Sequence, residues 1–137
     1  MPNQNNIFVD IWSSFRALPT WIQVWMVVLL MPINMTSLFF VGEPKGIIIA
    51  ILANAGLILN LPVMFKDRGF SKQMSIPHLL PWTILVILIL FKRPEATGAY
   101  NIYLWVLLIA NIVSLGFDFP DSLKWFKGDR AVAGRPQ

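Results

Sequence analysis

The stretch ALPTWIQVWMVVLLMPINMTSLFFVG, residues 17–42, contains no charged side chain. Three further charge-free runs follow at residues 46–65, 73–91 and 96–117, and all four are rich in Leu, Ile, Val, Phe, Met and Trp. A helix needs about 20 residues to cross the ~30 Å hydrocarbon core of a bilayer, and each run has about that length or more. The sequence therefore predicts an all-α membrane protein, folded as an up-down bundle of four transmembrane helices.

The composition excludes an ordinary soluble domain. Hydrophobic residues make up 56% of the 137-residue chain and charged residues only 13%, whereas about 25% of the residues in soluble domains are charged. Four spans and short connections account for the chain, so residues 1–137 are expected to form one transmembrane domain. The first residues, MPNQNN, lack the basic segment and cleavage site of a signal peptide. We therefore expect the first hydrophobic segment to remain as a span.

Shorter helices are expected at both termini of the chain. Between residues 7 and 18, apolar side chains recur at spacings of three and four, which indicates an amphipathic helix. This helix either lies in the plane of the cytoplasmic interface or packs as a lid on the bundle. A second interfacial helix is expected at about 120–127, and Pro32 is expected to kink the first span. The four spans are expected at about 21–41, 47–64, 76–91 and 99–117.

Spans two and three differ in the size of their side chains. Small side chains in span two let another helix approach closely; they are Ala50, Ala53, Ala55 and Gly56. The interior of span three, residues 84–90, reads ILVILIL and contains no small or polar side chain. We interpret span three as the helix most exposed to lipid, although an apolar contact between copies of the chain would give the same pattern.

The distribution of positive charge predicts the orientation in the membrane. Four spans place both termini and the middle loop on one side, and Lys and Arg mark cytoplasmic loops. That side carries eight of the 11 Lys and Arg residues, and the other side carries Lys45, Lys92 and Arg93. We therefore expect a multi-pass protein of the cell inner membrane with both termini in the cytoplasm. The Lys and Arg residues of the cytoplasmic side explain the net charge of +4, so no nucleic-acid partner is expected.

Four asparagines are the main polar groups expected at depth. From the ~1.5 Å rise per helical residue, Asn34 matches the depth of Asn54, and Asn60 matches that of Asn111. An unpaired amide in hydrocarbon is costly, so each needs a partner inside the protein or a water-filled space. In one interpretation the matched pairs form interhelical hydrogen bonds that fix the register. In the other, together with Ser114, they line a polar pathway for a small neutral ligand or a hydrated ion.

Polar side chains also fall on two helical stripes that we expect to face the bundle interior. The first comprises Gln23, Asn34 and Ser37 on span one, and the second comprises Asn111, Ser114 and Asp118 on span four. Asp, Glu, Lys and Arg are missing from the middle of every span. Ion-coupled carriers normally keep such a residue at depth, so coupled transport is disfavoured.

Five side chains are expected at the cytoplasmic rim of the bundle. His78, the only histidine, begins span three; Asp67 and Arg68 end span two; Asp118 and Asp121 end span four. A histidine beside a carboxylate can take part in acid–base chemistry or in ligand binding. The alternative is structural: the span-four aspartates cap the tail helix, Asp67 pairs locally, and backbone groups satisfy His78.

The inventory of reactive side chains excludes several kinds of site. The chain has no cysteine, which removes disulfides, thiolate ligands and thiol nucleophiles. One histidine does not build the usual zinc site, and no second ligand for haem is evident. A Gly-rich phosphate loop and a G-x-S-x-G motif are both missing. We therefore expect no catalytic residues, no metal and no cofactor.

These observations favour a small, non-enzymatic, multi-pass membrane protein. We expect it to work as a subunit or oligomer, through helix packing within the bilayer with copies of itself or with a larger membrane complex. The alternative function is a small channel or facilitator with an asparagine-lined polar pathway. A third function is a membrane enzyme or quinone site near His78 and Asp118.

Overall fold

The computed structural model describes residues 6–135, and the expectation about residues 1–5 lies outside that part of the chain. The described residues form five helices: α1 (Ile7–Ala17), α2 (Thr20–Phe40), α3 (Gly46–Asp67), α4 (Lys72–Phe91) and α5 (Gly98–Phe126). The last four are long and apolar enough to cross a membrane. Their positions confirm that each charge-free run forms a long helix, as a multi-pass membrane protein requires.

Local sequence signals fix both ends of α1. The side-chain oxygen of Asn6 accepts a hydrogen bond from the backbone N–H of Phe8 at 2.9 Å, which satisfies one of the free donors at the helix start. The helix ends at Ala17, just ahead of Pro19. A residue that precedes proline is pushed out of the helical region, so the chain turns here and begins α2.

Helix α2 changes its geometry along its length. It is α-helical at Thr20–Val24 and Met31–Met35, π-helical at Trp25–Leu30, and 3₁₀-helical at Thr36–Phe40. Pro32 has no backbone N–H, so it cannot donate to the carbonyl four residues earlier. The departure from α geometry lies directly before Pro32, at the place where the sequence predicts a distortion.

Helix α5 is longer than expected. It continues without a break to Phe126, so the separate interfacial helix predicted at 120–127 is wrong, and Asp118 does not cap it. Pro120 lies inside α5 and frees only the carbonyl of Gly116. Asp118 and Ser122, on either side of this proline, are buried in the bundle. Packing of this segment outweighs the missing hydrogen bond, because tertiary contacts supply most of the stability of a helix.

The contact between α3 and α4 is centred on Trp82. This indole is fully buried, and its Nε1 donates a hydrogen bond to the carbonyl of Ala53 at 3.0 Å. Gly56 lies directly against the ring, where a Cβ would collide with it. The small residues of α3 therefore make room for a side chain of the same chain.

The expectation that span three is the most lipid-exposed helix is wrong. In α4, 33% of the apolar stretch is buried, compared with 22% in α2 and in α3. Leu85 and Ile89 join Trp82 in the core on one face of α4. A uniformly apolar sequence carries no periodicity, so it does not reveal which face of the helix is buried.

Aromatic side chains close the end of the bundle that lies away from α1. The ring of Phe40 stacks on Tyr103 at 4.8 Å and on Tyr100 at 5.4 Å between centroids. Tyr103 donates its hydroxyl to the carbonyl of Ile33 at 2.6 Å, and Tyr100 donates to that of Pro44 at 2.7 Å. These contacts tie α2, the α2–α3 link and α5 together, and we call this region the closed end.

The opposite region, the α1 end, comprises α1, the α3–α4 loop and residues 129–135. Asp10 of α1 pairs with Arg68 at 2.7 Å. The Ser14 hydroxyl accepts from the backbone N–H of Phe70 at 2.9 Å and donates to the carbonyl of Ala133 at 2.8 Å. The polar face of α1 is therefore fastened to both the loop and the C-terminal segment.

Replacing Gly56 with alanine tests the packing of Trp82. The new Cβ would collide with the indole, and such overpacking typically costs about 1–3 kcal/mol. Gly116→Ala is the matched control, because the Cβ there enters open space. We expect thermal unfolding in detergent to shift to lower temperature for Gly56→Ala only. Equal unfolding temperatures for Gly56→Ala and the unaltered protein would contradict the packing described here.

Candidate functional site

A cavity of about 890 Å³ lies beneath α1. Apolar and aromatic side chains form most of its wall, among them Trp12, Phe15, Trp21, Trp25, Leu57, Leu61 and Met64. A smaller polar group includes Asn60, His78, Ser114, Asp118 and Asp121. This volume falls within the ~300–1,000 Å³ typical of small-molecule sites, and a mostly apolar wall with a few polar groups is typical of them too.

The cavity forms where α2 separates from α3. The segments Met31–Met35 and Thr36–Phe40 of α2 pack against Gly46–Ile58 of α3, near the closed end. Towards the α1 end, the π-helical segment Trp25–Leu30 packs instead on α5. It contributes Trp25, Met26, Val27 and Leu30 to the cavity wall. π-helical turns occur frequently at functional sites, because they move side chains off the regular α-helical path.

Helix α1 covers the cavity with its apolar face. The apolar residues that the sequence places on one face line the cavity: Phe8, Ile11, Trp12, Phe15 and Leu18. The opposite face carries Asp10 and Ser14, which hold the loop and the C-terminal segment. The structure shows that α1 packs on the bundle, while Phe8 and Trp12 stay largely exposed, so its placement in the membrane interface stays a prediction.

The polar part of the cavity is organised around His78. Its Nδ1 lies 3.0 Å from Oδ2 of Asp118, and both side chains are buried. Ser114, one turn before Asp118 on α5, donates its hydroxyl to the same oxygen at 3.3 Å. The imidazole stacks on Trp82, one turn later on α4, with 4.1 Å between ring centroids. Side chains of two helices, α4 and α5, therefore orient one imidazole ring.

The carboxylate of Asp118 determines the tautomer of a neutral His78. A carboxylate only accepts hydrogen bonds, so the ring proton is on Nδ1 and Nε2 is an acceptor. The amide nitrogen of Asn60 lies 2.6 Å from Nε2 and is therefore the donor. The remaining oxygen of Asn60, Oδ1, is buried and has no hydrogen-bond partner among the described residues. Such an atom is costly to leave unpaired in a low-dielectric site.

Charges of both signs surround the cavity. Lys72 lies 3.1 Å from the carboxylate of Asp129. This contact lowers the pKa of Asp129, so the carboxylate stays ionised at a lower pH than a free aspartate does. Asp121, which lines the cavity, interacts with the charges of Lys72 and Lys124. The two lysines and the two aspartates Asp121 and Asp129 therefore balance each other.

Two of the expected rim residues lie outside the polar group around His78. Asp67 accepts a hydrogen bond from the hydroxyl of Ser71 at 2.6 Å, and Lys66 lies 3.7 Å away. Arg68 pairs with Asp10 of α1. Asp67 and Arg68 therefore belong to the loop and the fastening of α1, whereas His78 and Asp118 come together as neighbours in the cavity.

The asparagines form pairs other than the expected ones. Asn34 and Asn111 are fully buried and exchange two hydrogen bonds, of 3.0 and 3.1 Å. Asn54 donates to the hydroxyl of Ser37 at 3.0 Å, and Asn60 binds His78. The predicted pairs, Asn34 with Asn54 and Asn60 with Asn111, are therefore wrong.

The length of α5 explains the difference. The depth of Asn111 was derived from a fourth span of residues 99–117, but α5 continues to Phe126. This extension moves the centre of the helix towards Asn111 by about four residues, or ~6 Å at ~1.5 Å per residue. Asn111 then lies at the level of Asn34 instead of that of Asn60.

Several residues of the cavity were not expected from the sequence to form a site. Trp12, Trp21 and Trp25 line the cavity, although nothing in the sequence marks them as parts of a site. Trp82, which stacks on His78 beside the cavity, had no assigned role either. One sequence signal does point to Trp82. It follows His78 by four residues, and side chains at that spacing are neighbours on a helix.

The described residues contain no group of three or more His, Asp or Glu side chains placed to hold a metal ion. Comparisons of the chain with protein-family models, with curated proteins and with solved structures give no match. The function therefore has to be argued from the cavity itself.

Leucine substitutions of Asn34 and Asn111 test their pairing. Asn34→Leu alone leaves a buried amide without its partner, which we expect to lower the free energy of unfolding by about 1–3 kcal/mol. The double variant with Asn111→Leu removes both polar groups, so it should lose less than the sum of the two single losses. Denaturant titration of the four proteins in detergent gives these values. Additive losses would show that the two amides do not interact.

Proposed function

We propose that this protein is a non-enzymatic, multi-pass membrane protein that binds a lipid-soluble amphiphile in the cavity beneath α1. Four apolar helices long enough to cross a bilayer support the membrane setting. The excess of Lys and Arg on one side favours the inner membrane, an up-down arrangement of the spans, and both termini in the cytoplasm. In this orientation the cavity lies at the cytoplasmic side of the bundle.

The proposal rests on one observation: the cavity combines a mostly apolar wall with a small polar group around His78. Leu57, Leu61 and Met64 offer a surface that suits an acyl or isoprenoid chain, and aromatic rings complete it. Asn60, His78 and Asp118 form a hydrogen-bonded polar group at the same cavity. A molecule with one apolar and one polar part matches both surfaces at once.

The state of His78 supports binding over catalysis. Nδ1 faces Asp118, Nε2 faces Asn60, and the ring stacks on Trp82. A general base needs a ring nitrogen within hydrogen-bond reach of a substrate proton. With both nitrogens engaged inside the protein, the imidazole is better suited to shaping the site.

The two other functions expected from the sequence have weaker support. Asn34, Asn54 and Asn111 hydrogen-bond within the protein, which favours a structural role over lining a pathway. Ala53 and Gly56 pack on Trp82, so these small residues no longer argue for contact with another chain. Assembly with copies of the chain or into a larger complex stays a prediction.

Filling the cavity tests the proposal. Leu61 lines it and is about half exposed, so a tryptophan there can enter the cavity without disturbing the core. Ile51→Trp is the matched control, because Ile51 is exposed on the same helix and lies outside the cavity. Native mass spectrometry of protein released from lipid nanodiscs measures the bound molecule directly.

We expect a bound small molecule on the unaltered protein and on Ile51→Trp, and a loss of about tenfold or more in its occupancy on Leu61→Trp, which corresponds to ~1.4 kcal/mol of binding. A protein that never carries such a molecule, or a Leu61→Trp variant that retains it fully, would contradict the proposal.

A further inference from the structure

We propose that the polar head of the bound amphiphile is an uncharged hydroxyl group that donates a hydrogen bond to Asn60. This inference rests on the proposed function and names the chemical class of the ligand. The candidates are long-chain or isoprenoid alcohols and other neutral lipids with a free hydroxyl. Three features of the cavity lead to this class: an acceptor without a donor, the balance of charge, and the apolar surface beside them.

The first feature is the Oδ1 atom of Asn60. The amide nitrogen of Asn60 is committed to His78, and His78 is held by Asp118. This chain of hydrogen bonds fixes the amide so that Oδ1 is its unsatisfied end. The atom is buried and has no partner in the described part of the chain, although Asn60 lines the cavity. A ligand that supplies a donor here removes the cost of a buried, unpaired acceptor.

The second feature is the charge around the polar group. The cavity wall carries two lysines, Lys72 and Lys124, and two aspartates, Asp118 and Asp121, and Lys72 is already paired with Asp129, so these charges give no net attraction for an anion. The carboxylate of Asp118 is the charged group next to His78 and Asn60. An anionic head such as a phosphate or a carboxylate would be placed beside it and repelled.

A positively charged head is also disfavoured. Asp118 already accepts hydrogen bonds from His78 and Ser114. An ammonium carries three donors and a full charge that must be stripped of water, whereas Asn60 has a single free acceptor. A hydroxyl brings one donor and little desolvation cost, so it matches the site better.

The third feature is the surface next to Asn60. Leu57, Leu61 and Met64, which flank Asn60 on α3, line the same cavity, and so do Val27 and Met31 of α2. These side chains lie where α2 and α3 have separated, so an alkyl chain attached to the hydroxyl can follow the gap between the two helices. An extended chain in this gap would be in contact with lipid tails, which suits a ligand that enters from the bilayer.

Bromine quenching of tryptophan fluorescence provides the test, because Trp12, Trp21 and Trp25 line the cavity. The probes share one dibromostearyl chain and differ in the head: an alcohol, its methyl ether, a sulfate and a primary amine. Each is titrated into lipid nanodiscs that contain the full chain. The ether keeps the size of the head and loses its donor, so the comparison of alcohol with ether isolates the hydrogen bond.

We expect the alcohol to bind the unaltered protein about five- to tenfold more tightly than the ether does, as one neutral hydrogen bond allows. The sulfate and the amine should bind no better than the ether. In Asn60→Leu the alcohol and the ether should become equal. Asn101→Leu, at the far end of α5, is the matched control and should keep the preference. The comparison of probes on the unaltered protein stands even where Asn60→Leu fails to fold.

The outcomes separate this inference from the proposed function. Equal quenching by all four probes, saturable and lost in Leu61→Trp, would overturn the hydroxyl and leave the amphiphile site intact. Tightest binding by the sulfate or by the amine would overturn it as well. No saturable quenching by any probe would overturn both proposals.

Discussion

Inside a bilayer, a buried polar group has to find its partner within the protein, and this constraint organises the whole bundle. Asn34 and Asn111 satisfy each other across α2 and α5, and the indole N–H of Trp82 reaches a carbonyl of α3. Each of these bonds joins two helices that an apolar contact alone would leave free to slide or rotate. The register of the four long helices follows from them.

The same constraint makes the two ends of the bundle different. At the closed end, stacked rings of Phe40, Tyr100 and Tyr103 fill the space, and both hydroxyls reach carbonyls. Towards the α1 end, the π-helical segment before Pro32 turns away from α3, and a cavity opens there. Asn60 keeps an oxygen here that has no partner among residues 6–135, and the proposal of a bound ligand rests on it.

The sequence predicts the fold well and the site only in part. Charge-free runs reveal each long helix, since lipid tails tolerate no unpaired charge along a span. The stripe of Asn111, Ser114 and Asp118 was expected to face inward, and all three side chains are buried. The pairing of asparagines was not predictable, because it depends on the level of each helix. The length of α5 sets the level of Asn111, and Pro120 inside the helix makes that length hard to predict from the sequence. The cavity was not predictable either, because the sequence does not show whether a tryptophan near the end of a span lines a cavity or faces the lipid headgroups.

The orientation of one imidazole tests the central claim most directly. His78 is the only histidine of the chain, so selective nitrogen-15 labelling of histidine gives a single pair of ring signals. In lipid nanodiscs at a pH where the ring is neutral, the hydrogen bonds to Asp118 and from Asn60 predict a proton fixed on Nδ1 and none on Nε2. A proton on Nε2, or signals averaged between both tautomers, would contradict this arrangement and the hydroxyl site that depends on it.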